Sequence, residues 1–120
     1  MKLHASGEGY LEAILVLHKR IDMVRSVDVA RHMEVSKPSV CHAVGILREG
    51  GFLTMDEEHY LHLTDIGREV AVKIYERHCF FMEQLIAAGV DPKIAEADAC
   101  RLEHVISSES FERLKETADQ

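Results

Sequence analysis

The segment that decides the fold runs from residue 26 to residue 51 and has the sequence SVDVARHMEVSKPSVCHAVGILREGG. Ser26 is expected to be the N-cap of a first short helix, because a serine side chain accepts hydrogen bonds from the free N–H groups there. Ser36 and Pro38 are typical of the start of a second helix, and Gly50-Gly51 is expected to end it. Two short helices joined by a tight turn predict a helix-turn-helix unit.

The segment after this unit predicts a β-hairpin. Two apolar stretches, residues 52–55 and 60–64, flank the polar residues 56–59, and the second stretch alternates between polar and apolar side chains. A hairpin in this position is typical of the wing of a winged helix. An amphipathic helix is predicted over residues 7–20, before the helix-turn-helix unit.

The rest of the chain is predicted to be helical. Apolar residues at helical spacing indicate a long helix over residues 66–88, a second over 93–106 and a short one over 111–117. Asp91-Pro92 is expected to begin the second of these, with Asp91 as the N-cap. The fold is therefore predicted to be mainly α with one small β-hairpin.

The domain boundary is expected near Asp65. Residues 1–65 are predicted to form a winged-helix domain and residues 66–120 a helical domain. The net charge of −7 lies mostly in the second half, since residues 1–55 hold seven Lys or Arg against six Asp or Glu, and residues 56–120 hold seven against fifteen. This distribution allows the first half to bind phosphates and favours a cation site in the second.

The cysteines and the apolar stretches indicate a cytoplasmic protein without membrane contact. Cys41, Cys79 and Cys100 are odd in number and form no CxxC pair, which favours a reducing compartment. The longest apolar run, Ala13–Leu17, is too short to span a bilayer, and no signal-peptide core follows Met1.

The helix predicted over residues 93–106 carries three kinds of metal-binding side chain. At about 100° per residue, four metal-binding residues of this helix are expected to share one face, opposite the apolar residues: Glu96, Cys100, Glu103 and His104. Thiol, imidazole and carboxylate donors together suit a divalent transition ion such as Fe(II), Mn(II), Co(II), Ni(II) or Zn(II). One helix face supplies about three ligands, so other helices are expected to complete the site.

Two residues on other helices are candidates to complete it. His78 lies in the apolar stripe of the long helix, where a second helix is expected to pack against it. Glu12 lies on the first helix, so an ion that it shares with the C-terminal ligands would connect the two domains. Simpler interpretations remain open: a solvated stripe on the helix over residues 93–106 and a core histidine at position 78. Glu12 taken alone indicates almost nothing.

Five segments of the chain match motifs of a known family. They are Gly9–Ile14 (GYLEAI), Ser36–Val40 (SKPSV), Leu63–Gly67 (LTDIG), Arg77-His78 and, most specifically, Ala99–His104 (ACRLEH). Over nearly its whole length the chain resembles the iron- and manganese-dependent repressors typified by the diphtheria toxin repressor and the manganese transport regulator. The resemblance implies a metal-activated transcriptional repressor that controls metal homeostasis and is not an enzyme, with Fe(II) or Mn(II) as the expected cofactor.

The resemblance also implies a set of metal ligands. Cys100, Glu103 and His104 match the core cluster on the family's C-terminal helix. His78 matches the ligand on the long helix, and Glu12 matches a first-helix carboxylate of the manganese-sensing branch. Cys100 is typical of the iron-sensing branch, so the resemblance leaves the choice between the two metals open.

Three positions depart from the family's pattern. Gly9 replaces a Met or Asp ligand, Met82 replaces a second carboxylate on the long helix, and Glu96 replaces a ligand histidine. These departures leave a second metal site open. The chain ends at Gln120, before the extra C-terminal domain of the larger members.

The resemblance implies a homodimer bound to a palindromic double-stranded DNA operator, with the second helix of each helix-turn-helix in a major groove. The expected DNA-contacting residues lie on or beside that helix: Arg31, Ser36, Lys37, Pro38, Ser39, His42 and Arg48. Ser39 and His42 are expected to reach base edges. Arg31, Ser36 and Lys37 are expected to contact phosphates.

Three alternative functions are compatible with parts of the sequence. A metal-independent winged-helix regulator has the same fold, and calorimetry with divalent ions separates the two. A metalloenzyme would use Cys100, Glu103 and His104 as ligands, but no substrate-cleft signature accompanies them. A pure dimerisation module leaves the helix start at Ser36 unexplained.

Overall fold

The computed structural model describes residues 5–119 and confirms the predicted order and type of the elements. The described elements are α1 (Ala5–Ile21), α2 (Ser26–Met33), α3 (Lys37–Glu49), β1 (Leu53–Met55), β2 (Leu61–Leu63), α4 (Asp65–Ala87), α5 (Pro92–Val105) and α6 (Ser108–Ala118). None of these helices combines the length and the apolar character that a bilayer crossing requires.

The chain divides into two compact units, residues 1–72 and residues 73–120. The division lies within α4, seven residues beyond the predicted boundary at Asp65.

The first unit has an apolar core to which α1, α2, α3 and both strands contribute. On α1 and α3 the core residues are spaced three or four apart, as an amphipathic helix requires, and each strand contributes one of them. They are Leu11, Ile14, Val29, Val40, Val44, Leu47, Leu53 and Leu61. Helices α2 and α3 therefore form the predicted helix-turn-helix, with the hairpin after it.

Two different caps begin the helices of this motif. Ser36 is the N-cap of α3, as predicted, and its hydroxyl accepts a hydrogen bond from the backbone N–H of Ser39 at 3.2 Å. The prediction that Ser26 caps α2 is wrong, because the N-cap is Arg25. The carboxylate of Asp28 accepts the backbone N–H of Arg25 at 2.9 Å, which supports a helix start one residue earlier.

The wing is an antiparallel hairpin in which Leu53 pairs with Leu63 and Met55 with Leu61. Its strands are shorter than predicted: Phe52 and Thr64 lie outside them, and the connecting loop takes five residues instead of four because it includes Tyr60. The Asp56 carboxylate organises this loop by accepting the backbone N–H groups of Glu58 at 3.0 Å and Tyr60 at 2.9 Å.

The wing leads directly into α4 through a tight junction. The hydroxyl of Thr64 donates to the carbonyl of Gly51 at 2.7 Å and accepts the backbone N–H of Gly67 at 3.1 Å. A Cβ atom at position 67 would collide with the carbonyl of Phe52. Glycine is therefore required here by a close approach of two backbones.

The second unit packs α4, α5 and α6 around aromatic side chains. Phe81, Ala99 and Phe111 are buried at its centre, and the rings of Phe80 and Phe111 meet edge to face with centroids 5.3 Å apart. The side chain of Asp91 accepts the backbone N–H of Lys93 at 3.0 Å, which confirms the predicted N-cap of α5.

Candidate functional site

Polar side chains of α4 and α5 meet beside this aromatic core. His78 on α4 lies between two carboxylates of α5, with Nε2 3.2 Å from Glu96 Oε2 and Nδ1 3.2 Å from Glu103 Oε2. Cys100 Sγ lies 3.5 Å from Glu96 Oε1 and 4.0 Å from His78 Nδ1. The nitrogen Nε2 of His104 lies 3.2 Å from Glu103 Oε1. Four of the predicted ligands and Glu96 are thus brought together.

Glu103 is the buried centre of this cluster, with 1% of its surface exposed. The prediction that the four polar residues of α5 share a face opposite the apolar one is partly wrong. Glu103 lies on the buried face with Ala95 and Ala99, while the apolar side chain of Val105 is exposed. The small side chains of the two alanines leave room for a neighbouring carboxylate on that face.

The burial of Glu103 has an energetic consequence. A carboxylate removed from water is costly unless hydrogen bonds or a cation compensate for its charge. The imidazoles of His78 and His104 flank it, each with a nitrogen 3.2 Å from one of its oxygens. The arrangement of imidazole, carboxylate and thiol groups around a buried anion fits a divalent transition ion.

Arg77 holds the C-terminal end of α5 in place. Its Nη1 donates to the carbonyls of Glu103 at 3.2 Å and Ile106 at 2.8 Å, and its Nη2 donates to the hydroxyl of Ser108 at 3.2 Å. The last carbonyls of a helix lack partners within the helix, so a guanidinium there stabilises its end. Sequence reasoning did not assign this role to Arg77, although it singled out the Arg77-His78 pair.

The fifth predicted ligand, Glu12, belongs to the first unit, and Met82, which stands where the family has a second carboxylate, belongs to the second. Glu12 lies on α1 in the first unit with a half-buried side chain, and its role as a ligand stays a prediction. Met82 packs against the aromatic core of the second unit.

The seven predicted DNA-contacting residues all lie on α2, on α3 or at the start of α3, and all are exposed. The hydroxyls of Ser36 and Ser39 are 2.8 Å apart and hydrogen-bond to each other. The guanidinium of Arg31 lies 3.9 Å from the Asp28 carboxylate. The contacts of these residues with DNA stay predictions.

Two family models together match nearly the whole chain. One is described as the iron dependent repressor N-terminal DNA binding domain and matches residues 2–63. The other is described as the iron dependent repressor metal binding and dimerisation domain and matches residues 64–120.

Individual relatives agree with these family models. The chain is 33% identical over 105 residues to the transcriptional regulator MntR of Salmonella typhimurium, which covers 88% of this chain and 67% of that protein. It is 30% identical over 114 residues to the diphtheria toxin repressor of Corynebacterium glutamicum, which covers 93% of this chain and 50% of that protein.

A solved structure gives the same fold. The manganese regulator SloR superposes with a TM-score of 0.85 at 26% identity, over 99% of this chain and 55% of that one. The chain therefore spans between 50% and 67% of the length of these three relatives.

Proposed function

This chain belongs to the iron-dependent repressor family, and from that premise we propose that it is a cytoplasmic, DNA-binding transcriptional repressor activated by a divalent transition metal. The observation that supports metal binding is the buried carboxylate of Glu103 between two imidazoles. Fe(II) and Mn(II) are the expected ions, because the matched family models name iron and SloR is a manganese regulator.

The residues that would hold the ion are Glu12, His78, Cys100, Glu103 and His104. The ion supplies a positive charge that compensates for the anionic donors once they are withdrawn from water. Arg77 fixes the end of α5 through the carbonyls of Glu103 and Ile106, so the side chains of Glu103 and His104 are held in position before any ion binds.

Glu12 is the proposed ligand through which metal binding would regulate DNA binding. It belongs to α1, which packs in the core of the winged-helix unit, whereas the other four ligands belong to α4 and α5. Ligands contributed by two units hold those units in one arrangement, and an arrangement that favours DNA links the two binding equilibria. A difference of about 100-fold in ion affinity between arrangements corresponds to about 2.7 kcal/mol.

DNA binding is assigned to α3. Its first two turns carry the exposed side chains of Lys37, Ser39 and His42, and Arg48 near its end is exposed as well. A helix-turn-helix docks the N-terminal part of its second helix in the major groove, and two copies read two half-sites. We therefore assign a homodimer to the DNA complex.

The proposal is tested by gel retardation with duplexes selected from a random library on the protein in the presence of Mn(II). The same duplexes are then run with Mn(II), anaerobic Fe(II), Co(II), Zn(II) or a chelator. Retardation that requires one of the ions is expected, and His104→Ala abolishes it because a ligand of the buried centre is lost. His32→Ala removes a histidine from α2 and serves as the control for metal binding by a surface imidazole.

Two results contradict the proposal in different ways. Retardation of equal strength with the chelator indicates a metal-independent winged-helix regulator. Failure to select any duplex removes the DNA-binding function itself.

A further inference from the structure

We infer that His18 is a proton-dependent link between the end of α1 and the wing, which makes the winged-helix unit sensitive to pH. The imidazole lies between two backbone carbonyls, with Nδ1 2.7 Å from the oxygen of Asp22 and Nε2 3.0 Å from the oxygen of Leu61. A carbonyl oxygen only accepts hydrogen bonds, so the ring bonds both carbonyls only when both of its nitrogens carry a proton. A neutral imidazole has one N–H group and donates to one of the two.

The bond to Leu61 lies on the outer edge of the wing. The backbone N–H of Leu61 donates to the carbonyl of Val24 at 2.7 Å, so this edge of β2 faces away from β1. The N–H and the carbonyl of one strand residue point to the same side, which places the Leu61 carbonyl on that edge as well. Leu61 is 0% exposed, and a buried carbonyl that loses its partner is costly.

The bond to Asp22 lies at the C-terminal end of α1. Asp22 has a left-handed backbone with a φ of 65°, and its N–H donates to the carbonyl of His18 at 3.2 Å. Residues 18 and 22 are therefore joined through the main chain and through the imidazole. The carbonyls at the end of a helix carry partial negative charge, so a positively charged side chain suits this position.

The charged and titratable groups that surround His18 come from three elements. They line a cleft of about 410 Å³ beside it: Lys19 and Asp22 from the end of α1, His62 from β2 and Arg68 from α4. The ring of His62 is stacked on that of His18 with centroids 6.3 Å apart, and its Nε2 lies 2.9 Å from Asp56 Oδ2. Imidazoles change charge between about pH 5 and pH 8, whereas carboxylates, Lys and Arg keep theirs. A test of the link therefore has to separate His18 from His62.

The number of bonds that His18 makes affects how firmly the wing is held. Leu61 is the first residue of the three-residue strand β2, so its two edge bonds fix the point where the chain returns from the wing loop. For the proposed DNA-binding function, a wing that is already held in place needs less ordering when it meets DNA. The link is therefore expected to favour operator binding at the lower end of the pH range.

The link is tested by following the backbone carbonyl ¹³C signals of Leu61 and Asp22 by NMR from about pH 8 to about pH 5, in the full chain without added metal. In the wild type both signals are expected to move together with the protonation of the His18 ring. His18→Gln has one amide NH₂ group and no titratable ring, so the movement of the Leu61 signal is expected to be lost. His62→Gln removes the neighbouring imidazole and is the matched control, in which the movement is expected to persist.

Two NMR results overturn the link. One is a Leu61 signal that stays fixed in the wild type while the His18 ring titrates, and the other is a movement that survives in His18→Gln.

The effect on DNA rests on the proposed function and has its own measurement. With saturating Mn(II), fluorescence anisotropy gives the ratio of operator affinities at about pH 6 and about pH 8. The wild-type ratio is expected to exceed that of His18→Gln by about fivefold, which corresponds to one hydrogen bond. Equal ratios would overturn the effect of the link on operator binding and leave the metal-dependent repressor standing.

Discussion

A carboxylate that is 1% exposed, such as Glu103, requires positive charge nearby, and the identity of its neighbours shows how that requirement is met. Two imidazoles flank it, each with a nitrogen 3.2 Å from one of its oxygens. Imidazoles are neutral metal ligands as well as cations, so this environment accepts either protons or a metal. A Lys or Arg in their place would neutralise the carboxylate permanently and leave no role for an ion.

The effect of one hydrogen bond on the pKa of a carboxyl group can be tested at Asp56 in the wing. The hydrogen bond from His62 Nε2, 2.9 Å from Asp56 Oδ2, is the main cause that lowers the pKa of Asp56 below 3.8. We expect His62→Ala to raise this pKa towards 3.8, and His42→Ala on α3 to leave it unchanged. Side-chain carboxyl chemical shifts measured by NMR across an acid titration follow the change.

The lowered pKa of Asp56 determines how the stability of the fold changes with pH. A carboxyl with a lowered pKa stabilises the fold at pH values above its unfolded pKa, near 3.8, and loses that contribution as the pH falls through the lower folded value. The wild type is therefore expected to lose more stability than His62→Ala as the pH drops below 3.8. Equal losses in the two proteins would show that the hydrogen bond contributes nothing.

At the scale of elements, the junction between the wing and α4 depends on a single close approach. Gly67→Ala places a Cβ against the carbonyl of Phe52, so the backbone of β1 or α4 must move, at a cost of about 1 to 3 kcal/mol. Gly45→Ala is the matched control, because no atom lies within 4 Å of a Cβ there and alanine favours a helix by about 1 kcal/mol. Urea unfolding is expected to show the first variant destabilised and the second stabilised, and a Gly67→Ala protein of wild-type stability would contradict the close approach.

The ends of the helices show which features of the fold were predictable from the sequence. The caps at Ser36 and Asp91 were predictable, because each residue type has one dominant use at a helix start. Arg25 as the N-cap of α2 was not, because the stabilising group is the Asp28 carboxylate three residues later. Helical periodicity placed Glu103 near the other polar residues of α5. It does not indicate which of these residues a neighbouring helix covers, so the burial of Glu103 was not predictable.

The candidate site was predictable to a similar extent. Cys100, Glu103 and His104 are close in sequence, so helix geometry alone brings them together. The meeting of His78 with Glu96 depends on how α4 packs on α5, and no local pattern contains that information. The clamp formed by Arg77 depends on the same packing, since its partners lie 26 to 31 residues away.

At the scale of the whole molecule, α5 presents apolar side chains that the single chain leaves exposed. Ile94 is 57% exposed and Val105 is 77% exposed, and helical geometry places the two on the same face. The family model over residues 64–120 describes a dimerisation domain, so a second copy of the chain is the expected occupant of this face. Burial of such apolar surface is the main favourable term in association.

The dimer is tested by light scattering coupled to size-exclusion chromatography. The wild type is expected at twice the chain mass of 13.6 kDa. The double variant Ile94→Asp, Val105→Asp is expected at the single-chain mass, because two carboxylates cannot be buried there without cost. Leu114→Asp introduces a charge at an exposed apolar position of α6 and is expected to leave the dimer intact. A dimeric double variant would exclude this face of α5 from the interface.

Regulation is also a property of the whole molecule, because it requires that the state of one unit alters the behaviour of the other. Glu12 is the proposed ligand that connects metal binding to α3 and its DNA surface. The substitution Glu12→Ala is expected to leave the fold intact and to remove one proposed ligand of the ion. Glu8→Ala, one turn earlier on α1, removes an equivalent charge and serves as the matched control.

The most direct measurement is the ratio of operator affinities with saturating Mn(II) and with chelator, obtained by fluorescence anisotropy for the wild type and both variants. The ratio is expected to be about 100 for the wild type and for Glu8→Ala, and to fall towards one for Glu12→Ala. A Glu12→Ala protein whose operator affinity rises with Mn(II) as much as that of the wild type would contradict the account.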